Sequence, residues 1–295
     1  MGAGGFAGAS SMEMKRNMKV WVLWVLLAGA GPLMAGPDGQ LVYDLRQSRR
    51  IALSDLAPEL RKNRVVVVGE QHTDEGHHRA QLRVIQALVQ AGADVAIGLE
   101  MFRTDSQKAL DRWTSGEISP REFEPIYYDN WNYPWAAYSA IFEYARTQKI
   151  PMIGLNVSRD ITRQVARIGF QSLTEAQRGQ LADVTCSIDE EYMRYIRSVY
   201  GAHAHGNMNF TFFCEAQMVW DAAMAVHSLE YLKAKPGATV VILTGVGHAQ
   251  KGAVPRQIRQ RSQAPVAVLL PEVPGSIDPK TVDVQDADYL LLDVR

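Results

Sequence analysis

From Arg64 onward the chain repeats short apolar runs, most of them without polar alternation: Val65–Val68, Val95–Leu99, Ile150–Leu155, Thr239–Leu243, Val266–Leu270 and Tyr289–Val294. A strand with one wet face alternates apolar and polar residues, whereas an unbroken apolar run suits a strand covered on both faces. Longer segments of helical spacing separate the runs, which is the order of strands joined by crossover helices. The expected fold is α/β, a central and largely parallel sheet flanked by helices.

Between the third and fourth runs no strand signal occurs, and helix-start signatures recur instead. Thr174 with Gln177 and Ser187 with Glu190 have capping-box spacing there, as does Ser119 with Glu122 ahead of the third run, where Pro120 sits at the favoured first helical position. A long helix is expected over 213–235, stopped by Pro236-Gly237. Segments 103–149 and 157–212 therefore read as helical excursions from the sheet. No linker, repeat or low-complexity tract divides 36–295, which reads as one α/β domain.

The first 35 residues read differently. Lys15, Arg16 and Lys19 precede an apolar run from Val20 to Ala30, and Leu33-Met34-Ala35 offers a small residue before Gly36. That is the layout of a cleaved secretory signal peptide, with translation starting at Met1, Met14 or Met18. The alternative is an uncleaved anchor, but Val20–Ala35 is 16 residues broken by Gly29, Gly31 and Pro32, short of the roughly 20 that span a bilayer. A periplasmic location is expected, with membrane association as the alternative. No cysteine precedes Cys186, so a lipobox is missing.

Composition removes several classes of function. Thirty-one Lys and Arg against 32 Asp and Glu leave no basic excess for a phosphate backbone. The two cysteines, Cys186 and Cys214, cannot ligate a structural zinc or an iron–sulfur cluster alone. In an oxidising compartment they could pair, or stay as two buried thiols.

In open α/β sheets, ligands bind beyond the carboxyl ends of the strands. There the chain places Gly69-Glu70-Gln71-His72, Glu100, Asn156 and Thr244-Gly245-Val246-Gly247-His248. Imidazole and carboxylate so placed can hold a metal or exchange protons with a bound water. Asp74 is a plausible N-cap for the next helix. The adjacent His77 and His78 then point about 100° apart, so at most one reaches the pocket, and both read as first-turn surface residues. Leu82, Ile85 and Leu88 mark that helix's buried face.

Several of these segments carry a resemblance. Gly69-Glu70-Gln71-His72 running into His77-His78-Arg79-Ala80-Gln81, Gly98-Leu99-Glu100-Met101-Phe102, Gly154-Leu155-Asn156, Glu215-Ala216-Gln217 with Trp220-Asp221 and Met224-Ala225, and Gly245-Val246-Gly247-His248 resemble, in order, the ChaN family. The resemblance covers about 64–260 and implies an exported bacterial haem-binding protein of iron and haem uptake. That family is similar in turn to a superfamily containing Tiki proteases and erythromycin esterases. By motif, Glu70, His72, Glu100 and His248 correspond to the superfamily's catalytic or metal-binding set. Family members that are lipoproteins carry a lipobox cysteine, so lipid anchoring is not implied here.

A haem site needs an axial ligand, an apolar slot and cations or donors for the propionates; the resemblance implies tyrosine ligation of ferric iron. No Cys-x-x-Cys-His occurs, so the haem would be b-type and non-covalent. One candidate region packs nine aromatics into Phe123–Tyr144, a pattern that usually pins a helix to a core. The other offers Tyr192, Tyr195 and Tyr200, Arg194 and Arg197 for propionates, and His203 in a glycine-rich loop. Tyr195 or Tyr200 is the expected iron ligand, with His203 beside them. A haem left half-exposed on one subunit would be covered by a second, so a homodimer formed on haem binding is expected, with haem transporter components as further partners. The competing reading is a hydrolase, metal-dependent or metal-independent, using the Glu70/His72/Glu100/His248 pocket. A third is an inert pocket in a protein that serves a transporter.

Overall fold

The apolar runs become the middle of one eight-stranded sheet. A computed structural model describes Met1 and residues 39–181, 183–201 and 209–294. The expected leader over 1–35, His203 and the side chain of Tyr200 lie outside the described residues. Strands β1 (Leu41–Asp44), β2 (Arg49–Ala52), β3 (Val65–Glu70), β4 (Val95–Arg103), β5 (Met152–Asn156), β6 (Thr239–Gly245), β7 (Val266–Pro271) and β8 (Tyr289–Leu291) lie in the order β2-β1-β8-β7-β3-β6-β4-β5. From β8 to β5 every pairing is parallel, and β1 and β2 add an antiparallel hairpin at one edge. The central strands β3 and β6 are buried along their whole length, as their unbroken apolar sequences require.

Helices cover both faces. On one lie α1 (Leu53–Leu60), α2 (Glu75–Gln90), α3 (Gln107–Ser115), α4 (Pro120–Asn130) and α5 (Trp135–Gln148), packed around Val66, Val68, Ile97 and Leu99. The aromatic run is largely core: Phe123, Tyr127, Tyr138 and Phe142 are fully buried around Trp113, with Phe123 stacked 4.5 Å from the Trp113 ring. The other face carries α9 (Phe210–Ala234) and α11 (Val254–Arg261), which set Met224, Ala225, Val254 and Ile258 against Val65, Val67 and Ile242. Between β5 and α9 run α6 (Arg159–Ile168), the short α7 (Glu175–Gly179) and α8 (Glu190–Tyr200), and the one-turn α10 (Val246–Ala249) follows β6.

Local signals fix most helix starts. Ser119 and Thr174 form capping boxes with Glu122 and Gln177, and Asp74 caps α2 through the N–H groups of Gly76 and His77. The expected Ser187 box does not form. Asp189 caps α8 instead, accepting from the Tyr192 N–H at 2.8 Å while Arg256 binds its other oxygen at 2.6 Å. That ion pair pins the chain at Asp189 and moves the helix start two residues past the Ser187 reading. The long helix starts at Phe210, three residues before the expected 213, because Asn209 caps it.

The connections leave β3 and β6 in opposite directions. From β3 the chain passes through α2 to β4, beyond β6; from β6 it passes through α11 to β7, beyond β3. Two neighbouring strands whose crossovers diverge leave a crevice between their carboxyl ends. Glu70 and Gly245 are register partners at that point.

Candidate functional site

Glu70, His72, Glu100 and His248 meet in this crevice, together lining a cavity of about 510 Å3. Strand alternation decides which face each carboxylate serves. Glu70 shares the parity of Val66 and Val68 and meets α2 and α5; Glu100 has the parity of Ala96 and meets the α9 side.

Each histidine is held by a carboxylate that is itself held by a phenol. His72 Nδ1 lies 2.8 Å from Glu70 Oε1, the oxygen to which the Tyr138 hydroxyl donates at 2.5 Å. His248 Nδ1 lies 2.6 Å from Asp221 Oδ1, and the Tyr192 hydroxyl donates to Asp221 Oδ2 at 2.5 Å. An ionised carboxylate only accepts, so both imidazoles donate from Nδ1 and keep Nε2 for the cavity. His248 Nε2 stands 4.0 Å from Glu100 Oε1. The other Glu100 oxygen accepts from the Thr244 hydroxyl at 2.5 Å and the Gly245 N–H at 2.7 Å. Gly245 lets His72 approach closely, since a Cβ there would stand 3.0 Å from His72 Cε1.

The electrostatics follow from these contacts. Burial disfavours the charged form of His72, but its bond to Glu70 and the charge of Glu100 outweigh this and raise its pKa. Burial likewise opposes a charged His248, and Asp221, then Glu100, more than reverse it, so this pKa too is raised. Burial also pushes the Asp221 carboxyl up, against the charge of His248 and its hydrogen bonds to His248 and Tyr192, and the 2.6 Å contact favours the ion pair. Burial alone would keep Glu100 neutral; the two imidazoles and its two donors hold it below the ordinary carboxylate range. Burial, then the Glu70 charge, push the Tyr138 phenol far up, so it remains a donor. Two oriented imidazoles flanking an ionised carboxylate can take a proton from, and return it to, a water or ligand in the cavity. Trp131 and Tyr133 pack on His72 with ring centres 5.0 and 5.1 Å away, and Trp220 stands edge-on to His248 at 5.7 Å, so aromatic walls surround the acid–base groups. Among the described residues, no group of three or more His, Cys, Asp or Glu side chains is disposed to hold a metal ion.

His77 and His78 are not surface residues. Both are 2% exposed: the Val294 carbonyl lies over Gly76 in the first turn of α2, where a Cβ would overlap it, and His78 packs inward against Tyr138. His77 Nδ1 accepts from the Gln71 N–H at 2.9 Å and fixes the loop after β3. His78 alone faces the pocket's carboxylate, 3.5 Å from Glu70 Oε2 and packed at a tilt on Tyr138 with ring centres 4.0 Å apart; burial lowers its pKa. Asp221, Tyr138 and Tyr192 complete the two triads, although the sequence marks Tyr192 only as a haem-site candidate, Tyr138 only as one of the clustered aromatics and Asp221 only within a matched motif. They sit within helices, and no local signal separates them from ordinary core-facing polar residues.

The second candidate group lies on α8. Arg194 and Arg197 are exposed, Arg194 near Glu190 at 3.8 Å and Arg197 over the Phe210 ring at 4.8 Å. Tyr195 is half-buried, and its hydroxyl donates to the Gly247 carbonyl, beside His248. Its ring lies on Gly252, where a Cβ would come within 2.8 Å of Cδ2. Half-buried Phe210, Phe212 and Phe213 add apolar surface at the adjoining start of α9. A phenol, an apolar aromatic surface and two exposed guanidinium groups thus occur together, the set that ferric haem requires. Cys186 and Cys214 are free thiols, raised by burial to about 12 and about 11. Among the described residues no helix is long and apolar enough to cross a membrane.

Comparison with known proteins places this geometry in context. A family model described as "Haem-binding uptake, Tiki superfamily, ChaN" matches residues 56–258. The fold is similar to that of ChaN of Campylobacter jejuni, solved with cofacial haem, at 21% identity and a TM-score of 0.66, covering 85% of this chain and 96% of that one. A mutant of the erythromycin esterase EreC is similar at 15% identity and a TM-score of 0.46, covering 81% and 78%. No curated protein matches the sequence.

Proposed function

The chain belongs to the ChaN family of haem-binding uptake proteins within the Tiki superfamily, and from that premise we propose that it is an exported protein that binds ferric haem through a tyrosine of α8 during haem or iron acquisition. The observation that carries the reading is the grouping on α8 and the start of α9. Tyr195 supplies a phenol, Phe210 and Phe213 supply apolar surface, and Arg194 and Arg197 supply cations for the propionates. Tyr200 ends the same helix and is the alternative ligand, with His203 three residues on. Bound haem would supply the iron chemistry; the chain's part is to hold, orient and shield it.

The leader over 1–35 supports delivery to the periplasm of a single domain spanning 36–295. A ligand bound on an exposed helix leaves one macrocycle face in water, so pairing of two subunits across α8 would cover it, and a transporter component would receive the haem. Hemin titrations of variants test the reading. Tyr195→Phe or Tyr200→Phe abolishes the ferric tyrosinate spectrum, while His72→Ala and His248→Ala retain it. Retention by both tyrosine variants and loss in a histidine variant would move the haem, or the function, to the strand-end pocket. Sedimentation with and without hemin tests the dimer: a protein that stays monomeric at saturating hemin is not paired by it.

A further inference from the structure

The strand-end pocket and the α8 group are fastened to each other through two tyrosines one turn apart. Tyr192 and Tyr195 share a face of α8. Tyr192 donates to Asp221, the carboxylate that orients His248; Tyr195 donates to the carbonyl of Gly247, whose peptide bond leads into His248. Both phenols therefore hold the same histidine, one through its acid partner and one through its backbone. The Tyr195 ring packs closely on Gly252, where a Cβ would come within 2.8 Å of Cδ2, so the ring is wedged between α8 and the segment after His248.

We propose that Tyr195 is a latch on the strand-end pocket, and that ligation of ferric porphyrin by Tyr195 releases Gly247 and opens the His248 side of the cavity. This rests on Tyr195 being the haem ligand. The chemistry forces the exchange. Ligation breaks the phenol O–H bond and forms an iron–oxygen bond, with the proton passing to bulk water and no electron transferred. The phenolate oxygen then has nothing to donate, and at hydrogen-bonding distance it faces the partial negative charge of the Gly247 oxygen. α8 and the Gly245–His248 turn must separate. Val246, Gly247 and His248 all line the cavity, so the separation widens it and frees His248 from one of its two supports. Haem capture and access of a small ligand to the paired imidazoles are then positively linked: by reciprocity, a ligand that wedges the pocket open favours haem binding.

The test uses the purified protein with labelled histidine rings and gallium(III) protoporphyrin, a diamagnetic stand-in for the ferric complex. His248 is assigned by His248→Gln. His227, whose Nδ1 lies 2.7 Å from the Leu155 carbonyl, serves as the internal reference. Gallium protoporphyrin should shift the His248 ring signals of the wild type and leave His227 in place. Tyr195→Phe should show the displaced His248 signal without porphyrin and no further change with it. Gly252→Ala, which crowds the ring but keeps the phenol, should weaken the latch and tighten hemin binding by about 3- to 10-fold, the worth of one net hydrogen bond. If hemin gives a tyrosinate spectrum that Tyr195→Phe removes, yet His248 does not move on porphyrin binding, the latch is wrong and the ligand assignment stands. If Tyr195→Phe keeps the tyrosinate spectrum, the ligand assignment falls and the latch with it.

Discussion

Asp221→Asn tests how far the buried carboxylate supports the site. Asp221 is fully buried and accepts the Tyr192 phenol at 2.5 Å and the His248 ring at 2.6 Å. The amide keeps the shape but loses the charge, and one side now presents an N–H toward a donor. Removing one partner of a buried ion pair costs about 3–5 kcal/mol, and hydrogen bonds to a charged group contribute about 1.5–3 kcal/mol each, so a loss of about 3–5 kcal/mol is expected at pH 6. The pH dependence fixes the cause. The folded-state pKa of His248 is raised above its unfolded value of about 6.5. Its contribution is therefore complete below about pH 6.5 and is lost as pH rises through the raised folded value. Asp221→Asn lacks most of that contribution, so the gap between wild type and variant in urea unfolding narrows from pH 6 toward pH 9. A gap below about 1 kcal/mol, or one constant across that range, would refute the pairing as the source of stability.

Tyr138→Phe removes the donor to Glu70 and should cost about 1.5–3 kcal/mol, read from urea unfolding; a near-neutral result would mean that Glu70 is satisfied without it. Gly245→Ala places a methyl within 3.0 Å of the His72 ring, so it should shift the His72 ring resonances while those of His227 stay fixed. Ser119→Ala deletes one half of the α4 capping box and should cost about 1 kcal/mol in thermal or urea unfolding, without altering hemin binding.

The sheet was legible because strands covered on both faces leave short runs of Val, Ile and Leu, and these runs recur between helical patterns from Arg64 onward. The edge hairpin was not. Leu41–Asp44 and Arg49–Ala52 are four residues each, and β2 carries Arg49 and Arg50 toward solvent, so β1 is too short for its pattern to stand out and β2 has no apolar run. Glu70, His72, Glu100 and His248 were readable because the rule for open sheets names their positions before any coordinates exist. Their partners were not, because Asp221, Tyr138 and Tyr192 reach the pocket from helices whose approach only tertiary packing determines. His77 and His78 were misread for the same reason: an N-terminal helical turn is normally wet, and here the C-terminal end of the described chain, more than 200 residues away in sequence, covers it.

A hemin titration of the purified protein followed by visible absorption tests haem ligation by α8 most directly. Saturable binding at a fixed haem-to-subunit ratio, with the spectrum of a five-coordinate ferric tyrosinate that disappears in Tyr195→Phe or Tyr200→Phe, is the predicted result. Non-saturating hemin uptake, with a spectrum identical in wild type and both tyrosine variants, would contradict it.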